Sequence, residues 1–372
     1  MAIALLASAT AAMSATAPPG HAKDIVLKKL LTPPTITTQP GFHSTTVIPP
    51  GQLYDPGELY DPLSLVPRDG SILLNDDGEA IGQKGGRLLA ITADGKISVV
   101  MDVGQLLPIT GFDVAPKGFG KFAGQVFSLA QPTTGMEGAL SNHVIQRIDL
   151  STRVASVFCT LPPAGKAGKG IAGYGFEAHF GLPGSRFAGR LFSVTALNDI
   201  IYETLADGTC RPFVDTSEVG PAGGFTFTPD GSAMLVTVAP DIFPSQGSKP
   251  SGAIIRISPE GKIDPTPIVT GIVGPSGIAV APAGFGTYGG EIFVSDTGDM
   301  EIPAPKSQPL KPDGAIFRVT KDGHLIPVAS GFINPVCLRF IDSRLWVTDI
   351  NGDFIAGGRE LPDGFIVRID AD

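Results

Sequence analysis

Short apolar runs, each bounded by Gly, Pro or Asp, recur along most of this chain. Between residues 277 and 328 four of them follow one another, at 277–282, 291–296, 314–320 and 324–328. Their β-branched and aromatic residues, interrupted by turn residues at short intervals, are typical of strands in an antiparallel meander. This stretch therefore predicts one sheet of four strands.

The third of these runs has further copies at 86–92, 143–149, 199–204, 252–258 and 364–370. An arginine occupies one register in four copies (Arg147, Arg256, Arg318 and Arg368), whereas Ala90 and Glu203 occupy it in the other two. A catalytic site is single but these arginines repeat. We therefore expect them to bind structural partners, such as carboxylates or carbonyl groups between repeats.

The first run also recurs, at 63–67, 112–116, 176–180, 225–229, 278–282 and 337–341. The spacing of roughly 50 to 65 residues is within the range of propeller blades that carry long loops. No stretch shows the 3.6-residue period of an amphipathic helix. The chain is predicted to be all-β, a six-bladed β-propeller of four-stranded antiparallel blades.

The last predicted blade ends at Asp370 after only three strands. A ring with an open edge invites aggregation, and a strand from the other terminus removes that edge. Residues 44–48 form the one strand-like run near the N-terminus. We predict that they pair beside 364–370 and close the ring. The domains are then a leader at 1–22, a Pro/Thr-rich segment at 23–62 and the propeller at 63–372.

An Ala-rich apolar run at 2–17 is followed by small-residue sites, and cleavage is expected after Ala22. The run is too short to span a membrane and is typical of a secretory leader, so we expect a periplasmic or secreted protein. No Lys or Arg precedes the run. The alternatives are a basic region upstream of this start, a degenerate leader, or a disordered Ala-rich tail.

The net charge of −9 and the absence of Lys/Arg runs argue against nucleic acid as a partner. A small molecule, a protein or a glycan remains as the expected ligand, bound by a monomer. The predicted connections between second and third strands are long, so ligands are expected on their face of the propeller. Connections between first and second strands repeat an aromatic residue at 118–124, 184–189 and 284–290, and we interpret them as packing plugs.

Two carboxylates, Asp113 and Glu177, fall inside first strands, where turn chemistry does not explain them. We assign them one register on adjacent blades and predict that they share a Ca²⁺ or another divalent cation, with Asp296 or Asp349 completing the shell. For most acidic residues at strand ends, including Asp296 and Asp349, turn formation is a sufficient explanation. His179, two residues after Glu177, is the candidate general base, and a structural role for a lone histidine is its alternative.

Cysteines 159 and 210 fall in the fourth strands of neighbouring blades and are candidates for a disulfide, whereas Cys337 falls in a core strand. The chain contains no Gly-x-Ser-x-Gly, His-Glu-x-x-His or Walker motif. Serine hydrolase, zincin and P-loop chemistry are therefore not indicated.

The motifs at 224–231, 277–282 and 291–296 resemble the senescence marker protein/gluconolactonase-like superfamily, which includes strictosidine synthase-like and NHL-repeat propellers. The resemblance implies lactonases and related hydrolases with one divalent cation in the central channel, held by Glu, Asn and Asp residues where inner strands begin. Where that family places two of its ligands, this chain has Gly223 and Ser276.

Two functions follow from this. In the first, a channel cation polarises a lactone or ester carbonyl, and Glu177, Asp113 or His179 moves protons. In the second, the propeller binds a protein, glycan or small ligand through its long loops without catalysis. A pyrroloquinoline quinone sugar dehydrogenase ranks third, because no cofactor pattern is recognisable.

Overall fold

The computed structural model describes residues 34–50, 53–54, 57–58, 62–76, 86–92, 94–102, 105–107, 109–130, 143–162, 174–196, 199–239, 250–298, 312–350, 355–356, 359–360 and 363–372. The predicted leader and most of the long connections lie outside these residues. Among the described residues we find no helix whose length and hydropathy would carry it across a membrane.

Six antiparallel sheets follow one another along the chain, and we number them blades 1 to 6. Blade 1 contains Pro62–Arg68, Ser71–Asp76, Arg87–Ile91 and Ile97–Met101; blade 2 contains Ile109–Val114, Val126–Ala130, Val144–Asp149 and Val154–Thr160; blade 3 contains Tyr174–Phe180, Arg190–Ala196, Ile200–Leu205 and Cys210–Asp215. Blade 4 contains Ala222–Phe227, Met234–Val238, Gly252–Ile257 and Val269–Ile272; blade 5 contains Pro275–Val280, Ile292–Asp296, Gly314–Val319 and Leu325–Phe332; blade 6 contains Pro335–Ile341, Arg344–Asp349, Phe365–Ala371 and Phe42–Ile48.

Smaller elements complete the described structure. Thr37–Thr38 adds a fifth strand to blade 5, and Gly120–Phe122 forms a 3₁₀ turn. Two isolated hairpins join Leu53–Tyr54 to Gly57–Glu58 and Ile355–Ala356 to Arg359–Glu360. The predicted all-β class is confirmed.

The first strand of every blade contacts the first strands of the two neighbouring blades, and blade 6 contacts blade 1. The six first strands therefore form a closed ring around the central channel, with the second, third and fourth strands lying progressively further out. The prediction of a six-bladed propeller is confirmed.

The ring is closed by the N-terminal strand, as predicted. Phe42–Ile48 pairs antiparallel with Phe365–Ala371, and the register places Thr45 opposite Arg368. Blade 6 thus takes three strands from the C-terminal part of the chain and its outermost strand from the N-terminal part. The strand Phe365–Ala371 therefore has no unpaired edge.

The aromatic connections are packing plugs, as predicted. Phe119, Phe187 and Phe285 are fully or almost fully buried. Each packs against an aromatic ring at the end of the next blade's first strand, with ring centroids 4.7 Å, 5.0 Å and 4.8 Å apart for the contacts to Phe180, Phe227 and Phe340. These plugs fill three seams between blades, on the face where first and second strands are connected.

Two of the third-strand arginines, Arg318 and Arg368, bind a carboxylate of their own blade. Arg318 donates to Glu291 at 2.7 Å and lies over the ring of Tyr288 at 5.0 Å. In blade 3 the charges are exchanged: Glu203 occupies the arginine position and accepts from Arg190 at 3.0 Å. The expectation of carboxylate partners between blades is wrong for these pairs, because the second strand supplies the charged partner. Arg190 also donates to the backbone carbonyl of Pro259, beside blade 4, at 3.3 Å.

A disulfide joins Cys159 to Cys210 across the outermost strands of blades 2 and 3, with the Cα atoms 6.2 Å apart. Cys337 is free and buried in the first strand of blade 6, as predicted. The covalent bond therefore connects the two blades whose first strands contain Asp113, Glu177 and His179.

Candidate functional site

Each second strand pairs with a first strand on one side and a third strand on the other, so it gives all six blades a common register. In each blade, one second-strand residue pairs with the third-strand arginine position on one side. On its other side the same residue pairs with a first-strand residue, and these first-strand residues are therefore equivalent. The six equivalent first-strand residues are Val66, Asp113, His179, Thr226, Ala279 and Arg339. We call this set the channel ring.

The channel ring corrects the predicted register of the two carboxylates. Asp113 is equivalent to His179, and Glu177 lies two residues earlier along its strand. The predicted first-strand runs 112–116 and 176–180 matched Pro116 to Phe180. The blade 3 strand continues to a bridge at Gly181, so Leu182 is the structural counterpart of Pro116.

Two residues earlier on each first strand lies a second set, which we call the floor ring: Ser64, Gly111, Glu177, Gly224, Gly277 and Cys337. A Cβ atom on Gly111 would lie 2.3 Å from the backbone nitrogen of Ala178, and one on Gly277 would lie 2.7 Å from that of Leu338. These glycines therefore permit a close approach of neighbouring first strands, which narrows the channel at this level.

Glu177 is the only carboxylate in the floor ring, and it is 6% exposed. Burial and then the charge of Glu177 raise the pKa of the Cys337 thiol to about 12, so this cysteine is a neutral packing group and a poor nucleophile. The floor ring thus contributes one charged group, which lies beneath the channel ring.

A pocket of about 340 Å³ lies above this floor, lined by five of the six channel-ring residues. Pro116, Leu182 and Pro183 also line it, so it opens on the face of the connections between first and second strands. The long connections predicted to bind ligand start from the opposite ends of the second strands, and most of their residues lie outside the described part of the chain.

His179 lies at the centre of a charged group on the pocket wall. Its Nε2 forms an ion-pair contact with the Glu177 carboxylate, and its Nδ1 is 3.8 Å from Asp113 Oδ2. Arg339 Nη1 lies 2.9 Å from Nδ1, and Arg339 Nη2 lies 3.8 Å from Asp113 Oδ2. The structure thus brings together the three predicted catalytic residues and adds Arg339.

Asp113 is held from its own strand and from the next one. The backbone N–H groups of Val114 and Phe180 donate to its two oxygens at 2.8 Å and 2.9 Å. Burial would raise its pKa, but the hydrogen bond that the His179 imidazolium donates and the charge of Arg339 outweigh burial and lower that pKa below 3.8. Asp113 is therefore a permanent anion at neutral pH.

The pKa of His179 is raised above 6.5. Burial opposes the imidazolium, and so does the charge of Arg339, but the Glu177 charge and the hydrogen bonds to Asp113 and Glu177 outweigh them. We assign the proton of the neutral ring to Nε2 because that nitrogen faces the Glu177 carboxylate. In this neutral form Nδ1 is the basic atom and accepts from Arg339 Nη1, which also lies 3.2 Å from Nε2.

The other two predicted cation ligands lie elsewhere and are occupied by backbone groups. Asp296 accepts from the N–H groups of Val273 and Gly274 at 3.0 Å and 2.8 Å. Asp349 accepts from Ile333 and Asn334 at 2.8 Å and 3.0 Å. Both hold the chain that enters the first strand of their own blade, through hydrogen bonds from backbone groups 15 to 23 residues earlier in the chain.

The described residues do not fit a divalent cation. Among them, no group of three or more His, Cys, Asp and Glu side chains is arranged to hold a metal ion. The repulsion between Asp113 and Glu177 is relieved by the imidazole of His179 between them and by the Arg339 guanidinium. A second positive ion beside that guanidinium would be repelled. The cation therefore stays a prediction, without a donor set in the described part of the chain.

Sequence reasoning missed Arg339 and Thr226. The first strand at 337–341 was identified correctly, and alternation along it places Arg339 on the same side as Cys337. A charged residue in the middle of an innermost strand is the signal that could have revealed it.

No protein-family model and no curated protein matches the sequence. Solved structures match the fold over almost the whole chain. A gluconolactonase from Xanthomonas campestris is 14% identical, with 91% of this chain and 95% of that chain covered at a TM-score of 0.55. The PQQ-bound aldose sugar dehydrogenase from Streptomyces coelicolor is 14% identical, with 90% and 100% covered at 0.56. The aldose sugar dehydrogenase from Escherichia coli is 12% identical, with 89% and 100% covered at 0.55.

The chain shares the six-bladed propeller fold of these enzymes. Identities this low establish the fold of the propeller and leave its chemistry to its own residues. Those residues are a histidine between two carboxylates, an arginine within hydrogen-bond distance of its basic nitrogen, and a threonine hydroxyl, all around one pocket.

Proposed function

We propose that this propeller hydrolyses a lactone or another small ester in the channel pocket, with no step through a metal ion. The observation that supports the proposal is the channel ring. At one structurally equivalent level, four blades contribute four different polar side chains, and these four line a pocket of about 340 Å³. Pockets of about 300 to 1,000 Å³ are typical of small-molecule sites.

In this proposal His179 is the general base. A water molecule attacks the carbonyl carbon and gives a proton to Nδ1, while Glu177 holds the Nε2–H and stabilises the imidazolium. When the ester carbon–oxygen bond breaks, the leaving alkoxide takes the proton back from Nδ1. The product of a lactone is one hydroxy acid, and the base returns to its starting state.

Arg339 binds the carbonyl oxygen and the negative charge that develops on it in the tetrahedral intermediate. In the free protein Arg339 donates to Nδ1 of His179, so a bound substrate takes over this guanidinium and releases the base. Asp113, which faces the His179 imidazolium and the Arg339 guanidinium, is a positioning residue. Thr226, on the adjacent blade, supplies a hydroxyl for a substrate oxygen.

We also propose that the protein is exported. The support is the Cys159–Cys210 disulfide, since disulfides persist in oxidising compartments and are rare in the cytosol. The leader predicted at 1–22 agrees with this proposal but lies outside the described residues.

The test is acid release from γ- and δ-lactones and aryl esters at constant pH, before and after EDTA treatment and dialysis. We expect turnover to survive chelation and Arg339→Ala to lower kcat by about 10²- to 10³-fold. Arg186→Ala, which removes an arginine 73% exposed on the same face, is the matched control and should be neutral. Activity lost on chelation and restored by Ca²⁺ would favour the cation mechanism. Ligand binding without turnover would favour the non-catalytic propeller.

A further inference from the structure

A second cavity lies in the seam where the last blade meets the first. It measures about 220 Å³ and lies between blade 6 and blade 1, and we call it the closure-seam cavity. Its walls include Pro67, Arg68 and Ile72 from blade 1, and Ile341, Arg344 and Trp346 from blade 6. The cavity is independent of the channel pocket, with which it shares no lining residue.

Three other seams hold a phenylalanine at the corresponding place. In each, a ring from the connection between the first and second strands packs on a phenylalanine of its own second strand. These contacts are Phe119 to Phe127 at 5.1 Å, Phe187 to Phe192 at 5.6 Å and Phe285 to Phe293 at 5.4 Å. The same ring then packs on the residue that follows the channel ring in the next blade, which is Phe180, Phe227 or Phe340.

Blade 6 has no aromatic residue to fill this place. Its first two strands are joined by Asp342 and Ser343 alone, in a tight hairpin with φ angles of 49° and 55°. Trp346 occupies the second-strand position of Phe127, Phe192 and Phe293, and Pro67 follows the channel ring in blade 1. Both residues line the cavity, Trp346 with the small edge that corresponds to its 2% exposure. The closure-seam cavity is therefore bounded by residues at the two positions that contact the plug phenylalanine in three other seams.

The register also predicts how a ring in this cavity would be contacted. Arg344 lies two residues before Trp346, the position that Arg190 holds before Phe192 in blade 3. Arg190 stacks over the plug ring of Phe187 at 5.5 Å. Arg344, 47% exposed and 3.5 Å from Asp370, is placed to cover a ring in the same way.

A second guanidinium also faces the cavity, whereas the two carboxylates that line it, those of Asp69 and Asp342, belong to exposed residues. Arg68 lines the opposite wall and contacts only its neighbour Asp69 among the ion pairs of the described residues, at 3.4 Å. The Asp69 side chain is 87% exposed, so solvent screens its charge more effectively than that of the partly buried Arg68. Guanidinium groups pair well with carboxylates.

We propose that the closure-seam cavity binds a small aromatic carboxylate. The ring lies between Trp346 and Pro67, where plug phenylalanines lie in other seams, and the carboxylate lies between Arg68 and Arg344. The size is sufficient, since an apolar protein cavity of about 150 Å³ holds a benzene molecule. Occupancy joins blade 6 to blade 1, so the ligand also stabilises the seam that closes the propeller.

The chain's single tryptophan is Trp346, so its fluorescence reports on this site. Because Arg339 of the channel ring lies opposite Trp346, the same titration of Arg339→Ala identifies any contribution from the channel pocket. We would titrate the full chain with benzoate, phenol and acetate, following fluorescence excited at wavelengths where these probes do not absorb, and measure heats by calorimetry. Benzoate should bind with a Kd on the order of 1 mM or below. Phenol should bind at least about tenfold more weakly, and acetate should cause no change.

Arg344→Ala and Arg68→Ala should each weaken benzoate about tenfold or more, since each removes a charged hydrogen bond. Arg186→Ala, on a connection whose seam already contains Phe187, should leave the Kd unchanged. No heat and no fluorescence change with benzoate, or equal binding of benzoate and acetate, would overturn the proposal. Benzoate binding that persists unchanged in the Arg68→Ala, Arg344→Ala double variant would also overturn it. None of these results depends on ester hydrolysis.

Discussion

Two sets of equivalent positions in this propeller behave in opposite ways. In blades 1, 5 and 6 the second strand ends in an aspartate opposite the proline that begins the first strand: Asp76 with Pro62, Asp296 with Pro275 and Asp349 with Pro335. In the channel ring, by contrast, no residue occurs twice.

The repeated aspartates meet a structural requirement that recurs in several blades. The chain must turn into each first strand, and the buried N–H groups just before the proline need acceptors, which Asp296 and Asp349 provide. The channel ring meets a requirement that arises once, because five of its six residues line a single pocket. Repetition in a propeller therefore indicates structure, and variation at a structurally equivalent level indicates a site.

The largest expected effect is on the channel-ring side of this comparison. His179→Asn should lower kcat/KM for the best lactone by about 10²- to 10⁴-fold, because it removes the proposed general base. His324→Asn, which changes an exposed histidine in a turn of blade 5, is the control and should be neutral. An unchanged rate for His179→Asn in initial-rate assays would mean that the ring is structural.

The next effect is on the repeated aspartates. Asp349→Ala leaves the N–H groups of Ile333 and Asn334 without their acceptor, which should cost about 2 to 4 kcal/mol of unfolding free energy in urea titrations. The kcat of the folded protein should be retained. Glu218→Ala, which removes an exposed carboxylate from the connection between blades 3 and 4, should change stability by less than about 0.5 kcal/mol. Loss of activity in Asp349→Ala at full stability would contradict the structural role.

The smallest effect tests whether equivalent positions are interchangeable. Blade 3 has Arg190 with Glu203, and blade 5 has Glu291 with Arg318 at the same positions. The double variant Glu291→Arg, Arg318→Glu gives blade 5 the arrangement of blade 3. It should be more stable than either single variant, with a coupling energy on the order of 1 kcal/mol in a double-mutant cycle. Additive effects would show that the pair does not act as a unit.

Much of the fold could be predicted from sequence because the blades repeat. Alternation and turn residues located all six first strands, and the missing fourth strand of blade 6 predicted the pairing with 44–48. The arginine partners could not be placed in the same way, since a repeat in sequence does not say whether a partner lies within a blade or between blades.

The site was harder to predict, for three physical reasons. The longer first strand of blade 3 shifted the register by two residues, so Glu177 was aligned with Asp113 in place of His179. Asp296 and Asp349 carry oxygens that suit a cation, and only coordinates show that backbone N–H groups occupy them. Arg339 belongs to no repeated motif, so nothing in the pattern singled it out.

The central claim is that His179, with its basicity set by Glu177, acts as the base of a metal-free hydrolase. The most direct test is the pH dependence of kcat/KM of the chelated wild type and of Glu177→Gln. The pKa of His179 is raised above 6.5, mainly by Glu177 against the opposing effect of burial, and only the neutral ring accepts a proton. The wild-type rate should therefore rise with pH through a midpoint above 6.5, and Glu177→Gln should move that midpoint to lower pH. A profile that keeps its midpoint in Glu177→Gln, or that appears only when a divalent cation is added, would contradict the account.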